Sequence, residues 1–241
     1  MRVKLKTLGC RLNEAEIETW ARQLESQGHH IVAEDQPSDL VLFNSCAVTL
    51  DAARKSRNLV RRELRHNPAA KVVLSGCYAS LNQEEARSLG VDLVIANADK
   101  HQLVERVMET FDWQPARPPS LDHAESVLFR LGRQRAFIKV QDGCRYRCTY
   151  CIVTVARGEE RSRSIREIVE EARAIEADGI QEIVLTGVHL GGYGSDLDQG
   201  LDDLVAALLR ETTLPRIRLG SLEPWAIPAS LIEQFANPRL M

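Results

Sequence analysis

The chain has 241 residues, of which 44% are hydrophobic and 27% are charged, and its formal net charge is −3. This composition is typical of a globular protein, and at about 150 residues per domain the length favours two domains. The small net charge excludes a strongly basic chain, so any nucleic-acid binding has to come from local patches. We find neither the apolar segment of a signal peptide nor an apolar run of ~20 residues, so we expect a cytoplasmic protein without a membrane partner.

Short apolar runs alternate with amphipathic stretches through the first 110 residues or so. The runs that we interpret as strands are VKLKTLG, HIVAE, DLVLFNS, KVVLSG and DLVIANA. Between the first two runs, NEAEIETWARQLESQG has a helical period that ends at Gly28, and its apolar face consists of Ile17, Trp20, Ala21 and Leu24. Alternating strands and helices predict parallel βαβ units, so we expect an α/β domain with a wound parallel sheet over residues 1–112.

A segment with several prolines and no hydrophobic period follows, and it predicts a linker over residues 113–129. Residues 130–241 then show a second βα series with strands in RAFIKVQ, EIVLTG and RIRLG. The helix SIREIVEEARAIEADG begins with a capping box formed by Ser164 and Glu167. Because a closed barrel needs eight βα units and roughly 250 residues, three units predict a truncated partial barrel.

Three of the six cysteines each follow a predicted strand of the first domain, and they are Cys10, Cys46 and Cys77. The carboxyl ends of parallel strands meet at one edge of a sheet, so we expect the three thiols to lie close together. The glycine in LGC and in SGC lets the backbone approach a bulky cofactor. The alternative is that these are small buried apolar residues, as free cysteines often are.

The other three cysteines are compact in the segment QDGCRYRCTYC, where they occupy positions Cys144, Cys148 and Cys151. Reduced thiols in the cytoplasm point to metal or redox chemistry rather than to disulfides. A structural zinc site needs a fourth cysteine or histidine beside the three, whereas a reactive site leaves one position open. Two sets of three therefore predict two clusters, each with one iron that is free to bind a substrate.

Several motifs resemble those of one enzyme family. CRYRCTYC resembles the CxxxCxxC signature of radical S-adenosylmethionine enzymes, and TLGCRLNEAE, NSCAVT, SGCYA and CTYCIVTVARGEERSRS resemble segments of the methylthiotransferases within that superfamily. The resemblance covers the whole chain and is greatest to the branch that modifies threonylcarbamoyl-adenosine in tRNA. The chain departs from the family in Thr154, where many relatives have proline, and in lacking the rest of the barrel and a small RNA-binding domain.

The resemblance implies an enzyme that inserts a methylthio group at an adenine carbon of threonylcarbamoyl-adenosine next to the tRNA anticodon. It implies two [4Fe-4S] clusters, S-adenosylmethionine, and an electron donor such as flavodoxin or ferredoxin. The cluster on the second cysteine set would bind S-adenosylmethionine, and the cluster on the first would carry the inserted sulfur. Further contacts to S-adenosylmethionine are expected from Tyr150, Thr186, Gly187 and Glu223. Thr186 and Gly187 are also consistent with an ordinary turn, and we interpret His189 as a local hydrogen-bonding residue.

The segment DAARKSRNLVRRELRH carries six Lys or Arg residues against Asp51 and Glu63. On a helix, four arginines recur every three or four positions and form one stripe, which consists of Arg54, Arg57, Arg61 and Arg65. A basic stripe that begins beside a cluster suits RNA phosphate, although a solvated helix face explains it equally well. Two alternatives stay open for the function: methylthiolation of a ribosomal-protein aspartate, and an inactive fragment that binds clusters or RNA.

Overall fold

The computed structural model describes residues 1–113 and 134–241. These residues form two compact units: the first holds residues 1–113 together with Val155–Arg157, and the second holds residues 134–154 and 158–241. The predicted linker lies outside the described residues except for Trp113. Within the described chain, no helix is both long and apolar enough to cross a membrane.

The first unit is built on a sheet of five strands, all parallel, in the order β2-β1-β3-β4-β5. The strands are β1 (Arg2–Thr7), β2 (His30–Ile31), β3 (Leu40–Ser45), β4 (Lys71–Gly76) and β5 (Leu93–Ile95). The predicted wound parallel sheet is confirmed. The run HIVAE was predicted as a full strand, and this was wrong, because only two of its residues pair with β1.

Helices cover both faces of this sheet. They are α1 (Arg11–Ser26), α2 (Leu50–His66), α3 (Cys77–Leu81), α4 (Gln83–Ser88) and α5 (Leu103–Thr110), with a 3-10 helix at Asn97–Gln102 before α5. Successive residues of a strand point to opposite faces, so Leu40 and Leu42 of β3 join the core with Trp20, whereas Val41 and Phe43 join the core on the other side. The predicted apolar face of α1 is buried throughout.

The second unit has a sheet of three parallel strands in the order β10-β9-β6 and an antiparallel ribbon of β7 and β8. The strands are β6 (Ala136–Lys139), β7 (Gln141–Asp142), β8 (Arg161–Ser162), β9 (Glu182–Thr186) and β10 (Arg216–Leu219). The helix α6 (Val153–Arg157) belongs to the first unit from Val155 onward, and the other helices are α7 (Ile165–Ala177), α8 (Leu201–Glu211) and α9 (Ala229–Gln234). Short 3-10 helices follow β9 at Leu190–Gly192 and β10 at Pro224–Ala226. Parallel strands joined through α7 and α8 confirm the partial βα barrel.

Two local features of the second unit test the sequence analysis. The capping box of α7 is confirmed, because Glu167 N donates to Ser164 Oγ at 3.3 Å and Ser164 N donates to the Glu167 carboxylate at 3.1 Å. The run RAFIKVQ was predicted as one strand, and this was wrong. Its pairing with β9 stops at Lys139, and Gln141–Asp142 turn to pair with Arg161–Ser162 instead. The ribbon thus closes the base of the loop that contains the second cysteine set.

Candidate cluster-binding sites

The first set of cysteines lies at the carboxyl ends of three strands in one sheet. Cys10 is the residue before α1, Cys46 follows β3 directly, and Cys77 is the first residue of α3 after β4. Cys10 is exposed, Cys46 is half-buried and Cys77 is buried. Burial raises the pKa of the Cys46 thiol, and Cys77 and Cys10 act in the same direction. Because β1 pairs with β3 and β3 pairs with β4, the three cysteines follow neighbouring strands of one sheet. The structure therefore brings together the three residues that the sequence predicted to meet.

Two glycines allow these loops to pack so closely. Gly9 has φ +137°, and a Cβ there would lie 3.0 Å from the Cys46 Cβ and 2.9 Å from Asn13 Nδ2. Gly76 has φ +102°, and its Cβ would lie 2.2 Å from the backbone oxygen of Ser45. Neither position has room for a side chain, and both backbones adopt a conformation that favours glycine. The glycines before Cys10 and Cys77 thus allow close packing between loops of the protein, and the approach of a cofactor that LGC and SGC indicate stays a prediction.

A buried polar network lies on α1 beside Cys10. Asn13 Nδ2 donates to the backbone oxygens of Leu8 at 2.9 Å and Ser45 at 3.2 Å, which ties the loops of Cys10 and Cys46 together. The Glu16 carboxylate accepts from Asn44 Nδ2 at 2.9 Å.

The same carboxylate forms ion pairs with two cations of the first unit. Arg157 Nη1 lies 3.1 Å from Glu16 Oε1, the Lys100 ammonium contacts Glu16 Oε2, and all three side chains are only 3% exposed. The sequence analysis missed Asn13 and Glu16. The available signal was their position, four residues before Ile17 and Trp20, which places polar groups on the face predicted to be buried.

The second set of cysteines lies in a single loop, residues 143–160, between β7 and β8. Two backbone hydrogen bonds shape this loop, from Cys144 N to Gly158 O at 3.1 Å and from Cys151 N to Cys148 O at 3.0 Å. Thr154, the residue that departs from the family pattern, donates from Oγ1 to the backbone oxygen of Tyr146 at 2.8 Å and so holds the loop itself.

The thiols of this loop differ in their access to solvent. Cys144 is half-buried, and Cys148 and Cys151 are exposed. Burial raises the pKa of the Cys144 thiol, and the charges of Glu160, Cys151 and Cys148 add to the rise. All three cysteines lie in this one loop, as their spacing predicts.

Each set fits an iron–sulfur cluster by its donor chemistry. Three thiols are gathered at each place, and thiolates are the usual ligands of such clusters. Across residues 1–113 and 134–241, no group of three or more His, Cys, Asp or Glu side chains is arranged to hold a single metal ion. A cube-shaped cluster binds each cysteine through a different iron, so its three sulfurs do not have to converge on one atom. The six cysteines remain the predicted ligands.

The residues predicted to contact S-adenosylmethionine fall into two groups. Thr186 ends β9 and is buried, Gly187 follows it, and Glu223 follows β10, so these three lie at the carboxyl ends of neighbouring strands. A Cβ on Gly187 would lie 2.9 Å from Gln141 Oε1, so only glycine fits there without displacing that side chain. Tyr150 lies on the cysteine loop and is 91% exposed.

His189 was interpreted as a local hydrogen-bonding residue, and the structure gives it a buried position. Its ring packs edge-to-face on Tyr146 at 4.9 Å, and its backbone nitrogen donates to Gln141 Oε1 at 3.0 Å. Its Nε2 lies 3.4 Å from Glu223 Oε2, an ion-pair distance, yet neither ring nitrogen has hydrogen-bond geometry with any described residue. The sequence analysis missed the neighbouring Glu160, whose pKa is raised by burial and whose Oε2 lies 3.3 Å from Arg145 Nε.

The predicted arginine stripe lies on α2. Arg54, Arg61 and Arg65 are exposed. Arg57 is half-buried, with Nη1 at 3.5 Å from Glu85 Oε1 and its guanidinium 6.0 Å from the centre of the Tyr78 ring.

The acidic residue Glu63 of the same helix is turned into the core. Its carboxylate lies 3.3 Å from Lys4 Nζ and 2.9 Å from Lys6 Nζ. Burial alone would raise the pKa of Glu63, but the hydrogen bond and charge of Lys6 outweigh it and hold that pKa below its ordinary value. Asp51, which is exposed, pairs with Lys55 at 2.7 Å. The exposed face of α2 is therefore more basic than the count of charges in the sequence indicates, and the RNA stripe stays a prediction.

Comparison with known proteins agrees with this architecture. Residues 2–96 match a model described as "Uncharacterized protein family UPF0004", and residues 138–223 match the radical SAM superfamily. The threonylcarbamoyladenosine tRNA methylthiotransferase MtaB of Thermotoga maritima is 34% identical over 99% of this chain and 56% of its own length. The chain is therefore similar to MtaB-type methylthiotransferases and to radical SAM proteins. The match to the radical SAM superfamily over residues 138–223 implies a [4Fe-4S] cluster and S-adenosylmethionine.

Other relatives extend the comparison. MtaB of Bacillus subtilis is 34% identical over 96% of this chain and 53% of the relative, and the tRNA-2-methylthio-N(6)-dimethylallyladenosine synthase of Novosphingobium aromaticivorans is 32% identical over 92% and 52%. The chain thus spans about half the length of the curated relatives it matches. Among solved structures, the radical S-adenosylmethionine methyltransferase TsrM of Kitasatospora setae is similar in fold, with a TM-score of 0.65, 15% identity, and coverage of 99% of this chain and 59% of TsrM.

Proposed function

We propose that this chain provides the cluster-binding part of a radical SAM methylthiotransferase acting on tRNA. The reaction is insertion of a methylthio group at an adenine carbon of threonylcarbamoyl-adenosine next to the anticodon. The observation that carries the proposal is the presence of two separate sets of three cysteines. The first lies at the carboxyl ends of parallel strands, and the second lies in the loop between β7 and β8. The names of the relatives support the choice of tRNA over a ribosomal protein as the substrate.

The two cysteine sets have different tasks in this proposal. Cys144, Cys148 and Cys151 would hold the cluster that, with S-adenosylmethionine bound, supplies reductive cleavage of the sulfonium and hydrogen abstraction from the substrate. Their loop is held by its own backbone hydrogen bonds and by Thr154, which fixes the thiols before any ligand arrives. The cysteines of the first unit would hold a second cluster that carries the inserted sulfur.

Residues around the second set would position S-adenosylmethionine. Thr186 and Gly187 offer backbone groups at the end of β9, and the nearby Gln141 side chain leaves no room for a Cβ at position 187. Glu223 offers a carboxylate from the adjacent strand end, where an amino group can be bound. Tyr150 exposes its ring on the cysteine loop, where it can stack on an adenine.

The proposed partners follow from the same chemistry. The basic face of α2 begins close after Cys46 and suits the phosphates of tRNA. Reductive cleavage needs an external electron donor, such as flavodoxin or ferredoxin. A tRNA substrate and the absence of a membrane-spanning helix in the described residues are consistent with a cytoplasmic location.

Anaerobic reconstitution followed by iron and sulfide analysis tests the proposal. The full chain should bind roughly eight irons, on the inference of two four-iron clusters. Replacement of Cys144, Cys148 and Cys151 by alanine should leave about four, and so should replacement of Cys10, Cys46 and Cys77. Loss of all iron in either triple variant would show that the two sets are not independent sites. A chain that binds about four irons and loses none when the first set is replaced would exclude the second cluster.

A further inference from the structure

Each cysteine of the first set has a polar neighbour that the ligand prediction does not include. Cys10 Sγ lies 3.7 Å from Asn13 Oδ1. The backbone of Cys46 is held by Ser56, whose Oγ accepts from Cys46 N at 3.3 Å and donates to Cys46 O at 2.8 Å. Asn97 Nδ2 lies 3.7 Å from Cys77 Sγ, at the range of a weak hydrogen bond to sulfur. These neighbours differ in what they offer to a sulfur atom.

The orientation of the Asn97 amide is fixed by a second hydrogen bond. Its Nδ2 also donates to the backbone oxygen of Ala156 at 2.7 Å. A carbonyl oxygen cannot donate a hydrogen bond, so the NH2 group of Asn97, and not its Oδ1, must lie on the side of the amide that faces Ala156. The position of Asn97 relative to Cys77 is fixed as well. Asn97 N donates to Ser80 Oγ at 2.8 Å, and Ser80 belongs to α3, the helix that Cys77 begins.

The Asn13 amide is oriented the opposite way with respect to its cysteine. Its Nδ2 is engaged by two backbone oxygens, and its Oδ1 accepts from Arg157 Nη2 at 2.8 Å. Asn13 therefore presents an oxygen to Cys10, whereas Asn97 presents an N–H to Cys77. A thiolate that ligates iron accepts hydrogen bonds and cannot donate them, so Asn97 suits the ligand state of its cysteine.

We propose that Asn97 is a positioning residue that raises the reduction potential of the first cluster through an N–H···S hydrogen bond to Cys77. The inference rests on the proposed function, because it requires a cluster on Cys10, Cys46 and Cys77. Reduction adds negative charge to a cluster and its sulfurs, and a hydrogen-bond donor stabilises that charge. Cys77 is 4% exposed and Asn97 is 5% exposed, so water does not screen the interaction and its electrostatic effect is large.

The test uses the full chain with Cys144, Cys148 and Cys151 replaced by alanine, so that only the first cluster remains. Asn97→Ala and Asn97→Ser are introduced into this parent, and each protein is reconstituted anaerobically. Serine is too short to reach both Cys77 and Ala156, and it keeps a polar group at the buried position if alanine prevents folding. The readouts are iron per chain, the thermal unfolding midpoint, and the cluster midpoint potential from a redox titration followed by electron paramagnetic resonance.

The matched control is Asn67→Ala. Asn67 lies in the same unit, and its amide bonds the Glu63 carboxylate, but it follows the carboxyl end of α2 whereas Cys46 precedes the amino end. We expect iron per chain to stay at the parent value in all variants. The midpoint potential should become more negative in both Asn97 variants and stay at the parent value in Asn67→Ala.

The outcomes separate this inference from the proposed function. A parent that binds no iron would overturn the proposed cluster on Cys10, Cys46 and Cys77 and the inference with it. A parent that binds iron and keeps its potential in both Asn97 variants would overturn the inference alone. Loss of iron in both Asn97 variants, with the unfolding midpoint retained, would also overturn it, because Asn97 would then be needed for assembly rather than for tuning.

Discussion

The two cysteine sets are built in opposite ways. The first set gathers residues that are distant in sequence, and it exists only when β1, β3 and β4 have paired and the loops of Cys10 and Cys77 have packed on the loop of Cys46. The second set lies in one loop whose shape comes from its own backbone hydrogen bonds and from the ribbon at its base. The first set should therefore lose its geometry when the fold of the first unit is weakened. The second set should lose its geometry when its own loop is changed.

The largest expected effect concerns the network behind the first set. In Glu16→Gln the buried cations Lys100 and Arg157 lose the carboxylate that pairs with them. Breaking a buried ion pair on one side costs about 3–5 kcal/mol. Because Asn13 and Asn44 are tied into the same network, we expect the first set to lose its geometry while the second keeps its own. Denaturant unfolding measures the loss of stability, and iron per reconstituted chain should fall by about half.

A control on the same unit makes this result specific. Glu105 is exposed on α5, and Glu105→Gln should change the free energy of unfolding by less than about 0.5 kcal/mol. Iron binding should be unchanged in the control. If Glu16→Gln and Glu105→Gln unfold at the same denaturant concentration, the buried network does not hold the first set together.

An intermediate effect, on iron binding by the second set, is expected from one glycine in its loop. Gly143 has φ +69°, and a Cβ there would lie 1.9 Å from the backbone oxygen of Glu159, so Gly143→Ala must displace the loop. Strain in this backbone region costs about 1–3 kcal/mol, and the clash adds to it. We expect Gly143→Ala to lose the iron bound by the second set and to keep the iron bound by the first. The measurement is iron per chain after Gly143→Ala is introduced into each of the two triple-cysteine variants, in which only one set remains.

Gly158 provides a matched comparison in the same loop. Its φ is +79°, but a Cβ there would meet nothing within 4 Å, so Gly158→Ala adds backbone strain without a clash. Gly158→Ala should therefore keep more of its iron than Gly143→Ala. Equal iron content in the two variants would mean that the close contact with Glu159 does not shape the cluster site.

The smallest expected effect is on tRNA binding, and iron binding by the cysteines is not involved. If Arg54, Arg61 and Arg65 contact phosphate, changing all three to glutamine should weaken tRNA binding at low salt. The slope of log affinity against log salt should become shallower by up to ~0.9 per lost contact on a duplex or ~0.7 on a single strand. Binding measured across a series of salt concentrations gives this slope, and iron content should not change.

Arg57 serves as the comparison within the stripe. It is half-buried and already pairs with Glu85, so Arg57→Gln should change the slope less than any one of the exposed arginines does. Affinity and slope that survive the triple change would show that the exposed face of α2 is only solvated. RNA recognition would then have to come from outside this chain.

Features that depend on local period and local chemistry can be predicted from the sequence. The apolar period of α1 predicts the buried Ile17 and Trp20, and the capping box at Ser164 predicts where α7 begins. Alternation of strands and helices predicts parallel sheets, and parallel sheets place strand-end cysteines at one edge. These inferences succeed because neighbouring residues alone set helix caps and side-chain faces.

Which polar groups are buried, and which partners satisfy them, depends on contacts between distant parts of the chain. The sequence does not show that Glu16 and Glu63 are both paired with cations beneath the surface. The turn that ends β6 and the orientation of Asn97 toward Cys77 are likewise absent from any local pattern. A charge or an amide is stable in the interior only if a distant residue supplies its partner, and the sequence does not show which distant residues will meet.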